Sequence, residues 1–81
     1  MVHPMPFRDL VSRHAMREAE LDGISLGEME ETYLDPDLTR PSTHDELREI
    51  RTRWLGEEAI EVVVDTIDGR VVTTWRKRHT R

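Results

Sequence analysis

Phe7, Leu10, Val11, His14, Ala15 and Leu21 recur at intervals of about three, four and seven, while Asp9, Ser12, Arg13, Arg17 and Glu20 take the opposite side. That spacing predicts an amphipathic helix over residues 7–21. Pro4 and Pro6 stand before it and Asp22-Gly23 after it, as start and stop signals require. Met16 falls on the flank of the stripe. A second helix is expected over residues 26–34, because Ser25 and Glu28 have capping-box spacing and Ile24 with Met29 can close a hydrophobic staple. Its apolar positions are Leu26, Met29, Tyr33 and Leu34, and Asp35-Pro36 ends it.

Two prolines among Asp, Thr and Ser mark residues 35–46 as a loop. Beyond it the period changes from helical to alternating. Ile50, Thr52 and Trp54 alternate with Arg51 and Arg53, residues 59–65 are valine-rich, and Val71, Thr73 and Trp75 alternate with Val72, Thr74 and Arg76. Strands are therefore expected at about 47–55, 59–65 and 70–76, with a basic tail over 77–81. The predicted architecture is one α+β domain spanning 1–81, two N-terminal helices packed on one face of a three-stranded, or four-stranded, antiparallel meander.

Asp68-Gly69 reads as a two-residue hairpin turn, which sets Ile67 opposite Arg70, Val64 opposite Thr73 and Val62 opposite Trp75. A three-residue loop at Gly56, Glu57 and Glu58 sets Trp54 opposite Ile60, and is preferred because a slip of one residue would bury the arginines. In this register Ile50, Thr52, Trp54, Ile60, Val62, Val64, Val71, Thr73 and Trp75 face the helices. Arg53, Glu61 and Arg76 line up on the other face, where cross-strand charge pairing alone accounts for them.

The 81 residues include no cysteine, so no disulfide or thiolate metal site is expected, in keeping with a cytoplasmic protein. No run approaches the ~18 apolar residues of a membrane span, and the first six residues lack the pattern of a signal peptide. A net charge of −5 conceals an asymmetry. Residues 1–46 hold four arginines against eleven acids, residues 47–81 eight basic residues against six acids, with Arg76, Lys77, Arg78 and Arg81 at the end. Such a tail can hold phosphates; a solvated terminus is the plainer reading.

No phosphate-cradling glycine loop and no nucleophile motif is present, and His3, His14, His44 and His79 lack metal-ligand spacing, so no metal or cofactor is expected. His14 stands out as a titratable group on an apolar stripe, where packing at the edge of the core is the simpler explanation. Metal-free RNA cleavage needs a base, an acid and a cation for the phosphate. His14, His79, Arg53 and Arg76 are of the right types.

Phe7 to His14-Ala15-Met16, Gly23-Ile24-Ser25 with Glu28-Met29-Glu30-Glu31, Leu34 and Pro36, then Val62-Val63-Val64-Asp65 and Val71 to Arg76 together resemble domain-of-unknown-function family 4258. The resemblance runs from about Phe7 to Arg76 and implies a compact RelE-like fold of the barnase–EndoU–colicin–RelE group, beside the BrnT-like toxins. It further implies a metal-independent endoribonuclease of a toxin–antitoxin system. His14, Thr73 and Arg76 would then be catalytic, with Arg53, Arg76, Lys77 and His79 on the RNA phosphates. Asp22 stands where members carry arginine, and the chain is acidic where RelE-like toxins are basic. Those departures motivate an alternative on the same fold, a catalytically inactive protein-interaction module. Expected partners are RNA, an antitoxin protein, or a second copy paired through an edge strand; no membrane is expected.

Overall fold

The computed structural model describes residues 5–78; Pro4, His79 and Arg81 lie outside them. Three helices, α1 (Phe7–Leu10), α2 (Arg13–Leu21) and α3 (Leu26–Leu34), precede four strands, β1 (Leu38–Pro41), β2 (Arg48–Leu55), β3 (Glu58–Asp65) and β4 (Val71–Arg78). The strands form one antiparallel sheet in the order β1-β2-β3-β4. The α+β class, with helices N-terminal to the sheet, is as the periodicity predicts.

The expected first helix is two helices. Val11 is extended and bridges Val71 in parallel, so the joint joins the edge of β4 instead of continuing the helix. Ser12 holds the break from three sides. Its backbone N–H donates to Val71 O at 3.0 Å, its Oγ donates to Val72 O at 3.1 Å, and the same Oγ accepts from Ala15 N at 3.0 Å as the cap of α2. Restarting the helix there lets the small residues Ala15 and Ala19 face the sheet, both buried. His14 and Leu21, expected on the apolar side, are exposed.

Gly23 sits at φ 66°, and Gly23 N donates to Glu20 O while Ile24 N donates to Ala19 O, the paired bonds of a Schellman stop. The predicted capping box follows at once. Ser25 Oγ accepts from Glu28 N and Ser25 N donates to Glu28 Oε1, both at 3.0 Å. Ile24 and Met29, the staple pair, are both in the core, and Leu34 is exposed.

Residues 35–46 are not wholly loop, because Leu38 to Pro41 pairs with Thr52 to Glu49 as the edge strand β1. Proline is tolerated at the end of an edge strand, where no neighbour needs its N–H. Where β1 stops short, the Asp37 carboxylate accepts from Trp54 N at 2.8 Å.

Both hairpins differ from expectation: the first loop is one residue shorter, which turns β2 over, and the second is longer and followed by a bulge, which turns β4 over beyond Val71. Leu55 pairs with Glu58, leaving a two-residue loop of Gly56 and Glu57, with Gly56 at φ 66°. That sets Arg53, not Trp54, opposite Ile60. The second turn is longer than Asp68-Gly69: Asp65 N donates to Arg70 O and Gly69 N to Asp65 O, enclosing residues 66–69. Asp65 Oδ1 accepts from Ile67 N at 2.8 Å, the local carboxylate turn that competes with a tighter hairpin. A bulge at Val63/Val64 absorbs Val72, so Val64 pairs with Val71, Val63 with Thr73 and Glu61 with Trp75.

Ile60, Val62, Val64 and Val71 face the helices as expected and pack with Ala15, Ala19, Ile24 and Met29. Arg51, Arg53 and Arg76 share that side, and Ile50, Thr52, Trp54, Thr73 and Trp75 are on the other. The slip rejected on the sequence because it would bury arginines is the register that forms. It is tolerated because the guanidinium groups sit at the margins of the helix layer, each about a quarter exposed.

Candidate functional site: the helix-free sheet face

At the helix margin the arginines are engaged by the protein's own carbonyls and carboxylates. Arg76 Nε donates to Asp22 O at 3.2 Å and Nη2 to Gly23 O at 3.0 Å, capping the C-terminal carbonyls of α2, while Nη1 donates to Glu58 Oε2 at 2.8 Å. Its backbone N–H donates to the Asp22 carboxylate at 3.0 Å. Asp22, the departure from the resembled family, therefore closes part of the edge of β4. Arg53 Nη1 donates to Asp35 O at 3.2 Å, and its Nε, 3.8 Å from Glu31 Oε2, is buried without a hydrogen bond. Arg51 lies 4.5 Å over the Tyr33 ring and donates to Tyr33 O at 2.7 Å and to Glu49 Oε1.

The predicted catalytic set is not brought together. His14 is exposed in the first turn of α2, whereas Arg76 caps the other end, about 12 Å away at 1.5 Å of rise per residue. Thr73 is on the opposite face of the sheet from both, half-buried and paired with Val63. Arg53 is on the helix side over Ile60, and Lys77 is exposed on the helix-free side opposite Ala59. His79 lies outside the described residues.

No described helix packs on the face that carries Thr73. Its centre is Glu61, a carboxylate with 2% relative exposure in the middle of β3. Every other strand supplies it a donor: Arg40 Nη1 of β1 to Oε2 at 3.0 Å, Thr52 Oγ1 of β2 to Oε2 at 2.6 Å, and Trp75 Nε1 of β4 to Oε1 at 3.0 Å. Each of the two oxygens is engaged and one donor is charged, which satisfies the buried carboxylate. A free catalytic base would lack these donors. Around this hub lie half-buried Ile50 and Trp75 and the exposed Leu38 and Trp54, at 47% and 39%.

Sequence reasoning missed the hub, although one signal was present: Glu61 is the single charge inside the apolar run Ala59 to Val64. A charged residue at the centre of the most buried strand must have partners on its own face.

Glu58, at the helix-side end of β3, has its carboxyl held below the usual glutamate range, first by the Arg76 hydrogen bond and then by Arg78, with partial burial opposing. Among the described residues no cluster of three or more His, Asp or Glu side chains could hold a metal ion, and no helix is long and apolar enough to cross a membrane.

Fold and surface together define a small α+β protein that roofs one face of a four-stranded antiparallel sheet and presents the other. Comparison of the chain with protein-family models, curated proteins and solved structures finds no match.

Proposed function

We propose that this protein is a binding module that engages a protein partner, presenting apolar side chains, through the helix-free face of its sheet. The observation that carries this reading is the exposure of Leu38 and Trp54 beside half-buried Ile50 and Trp75 on a face held rigid by Glu61. Tryptophan and arginine are among the residues that anchor protein interfaces. Strand addition is a weaker route, because Ser12 and Asp22 occupy the edge of β4 at Val71, Val72 and Arg76, and β1 is four residues long. The test is affinity capture from the source cells, purification of the recovered partner, and titration against wild type and Leu38→Asp/Trp54→Asp. Affinity should fall about tenfold or more with unchanged circular dichroism; equal affinity for the two contradicts the reading.

One observation favours the metal-independent endoribonuclease as a second reading. Thr73, Trp75 and Lys77 alternate along β4 so that all three are on the open face, where RNA could lie across them. On this reading purified protein cleaves single-stranded RNA in excess chelator and Thr73→Val reduces the rate. Absence of cleavage, or cleavage indifferent to Thr73, removes it.

A further inference from the structure

Among the described residues, Arg40, Arg48, Arg51, Arg53, Arg76 and Arg78 each have an acidic partner within 4 Å. Arg8, Arg13, Arg17 and Arg70 have no ion pair or side-chain hydrogen bond with another described residue. Three of these four line a single surface groove of about 440 Å³ formed by α1, α2 and the joint between them, together with Val11, Met16 and Glu20. Arg8, Arg13 and Arg17 share one groove, and although α2 also carries Glu18 and Glu20, neither lies within ion-pairing distance of a described arginine. In a chain with a net charge of −5 this is a local positive site whose charge is not consumed by ion pairs among the described residues.

Ser12 and the Val11–Val71 bridge tie the α1–α2 joint to β4, so the backbone that carries Arg8 on one helix and Arg13 and Arg17 on the other is fixed before anything binds.

We propose that this groove binds an acidic segment of a protein partner, in which carboxylates meet the arginines and an apolar side chain between them rests on Val11 and Met16. Arginine suits carboxylate recognition because its fork donates two parallel hydrogen bonds, and methionine adapts to varied apolar shapes. Nucleic acid fits less well. Among the described residues that line the groove no aromatic ring is present to stack a base. The site is separate from the helix-free sheet face and does not depend on it.

The test is fluorescence anisotropy of the full chain with a labelled octapeptide of glutamate and aspartate around a central leucine. A lysine-for-acid version of the peptide and an oligouridylate of equal charge serve as comparators. Wild type should bind the acidic peptide above both comparators, and Arg13→Gln/Arg17→Gln should weaken it about tenfold or more. Arg8→Gln, which leaves α2 untouched, should weaken it by a smaller factor, so a folding defect in the double variant does not decide the matter. Leu38→Asp/Trp54→Asp should bind the peptide as wild type does. The proposal is overturned if Arg8→Gln and the double variant both bind like wild type, if the sheet-face variant loses the peptide, or if the oligouridylate binds more tightly through the same arginines. An arginine-dependent dimer in light scattering would also overturn it, by making a second copy the occupant.

Discussion

The two faces of β3 are buried by different means. Toward the helices, Ile60, Val62 and Val64 meet Ala15, Ala19, Ile24 and Met29 in an apolar layer, and arginines appear only at its margin. Away from them, Glu61 and Val63 are buried with no described helix above, and the centre is a carboxylate receiving a donor from each of the other three strands. Apolar packing is non-directional and survives repacking if volume is kept. A polar hub is directional: complete, it fixes one arrangement of strands, and with a member missing it leaves buried groups unpaired. The open face can therefore stay rigid without a roof, which is what a binding surface requires.

Four substitutions and one titration probe this contrast. Met29→Ala should show the largest effect, about 3–4 kcal/mol, since it empties volume at the centre of the helix-side layer. Urea unfolding with an unchanged slope checks it. Glu61→Ala should cost about 3 kcal/mol, the lower part of the range for breaking a buried pair, because the Arg40 side chain is 39% exposed and regains water. Glu61→Gln, which keeps the shape and one acceptor, should cost about half as much. If Glu61→Ala costs under about 1 kcal/mol while Met29→Ala behaves as stated, the open face is not held by its hub and the contrast fails.

How much of this could be read from the sequence follows from the range of the interactions involved. The capping box at Ser25 and Glu28, the stop at Gly23 and the staple of Ile24 with Met29 are set by residues within five positions, and all form as expected. The face of β3 was also legible, because its valines repeat strongly enough to fix their side. Its neighbours were not, since their faces depend on one-residue shifts: the first loop is a residue shorter than expected and the bulge at Val63/Val64 adds a residue to β4. Ser12 was hidden for a related reason. A serine inside an amphipathic stripe looks like a surface residue until Val71, some sixty positions away, supplies the acceptor that breaks the helix. The site residues suffered most, because reversing β2 and β4 carried Arg53 and Arg76 from the open face to the helix side and Thr73 from the helix side to the open face.

At the helix margin the contrast predicts smaller effects. Arg51→Lys keeps the charge but loses the planar fork on Glu49 and weakens the contact over Tyr33, for about 1 kcal/mol by thermal or urea unfolding. A cost above that of Glu61→Ala would mean the margin, not the hub, sets the sheet's rigidity.

The smallest expected effect is the titration of Glu58. Its folded carboxyl lies below the unfolded one, so the unfolded chain binds the proton first as pH falls. The ion pair therefore contributes fully above the unfolded carboxyl's range, and its contribution is lost as pH drops from that range through the folded one. Partial exposure keeps the contribution modest. Melting temperature followed with pH should show wild type above Glu58→Gln at neutral pH, with the two curves converging under acid. Arg76 has a second set of partners, the Asp22 and Gly23 carbonyls, whose charge does not change with pH. Curves that coincide at every pH would show that Glu58 adds nothing to the hold on Arg76, and that the helix margin is fastened by the end of α2 and by Glu28 of α3 without help from the sheet's own acids.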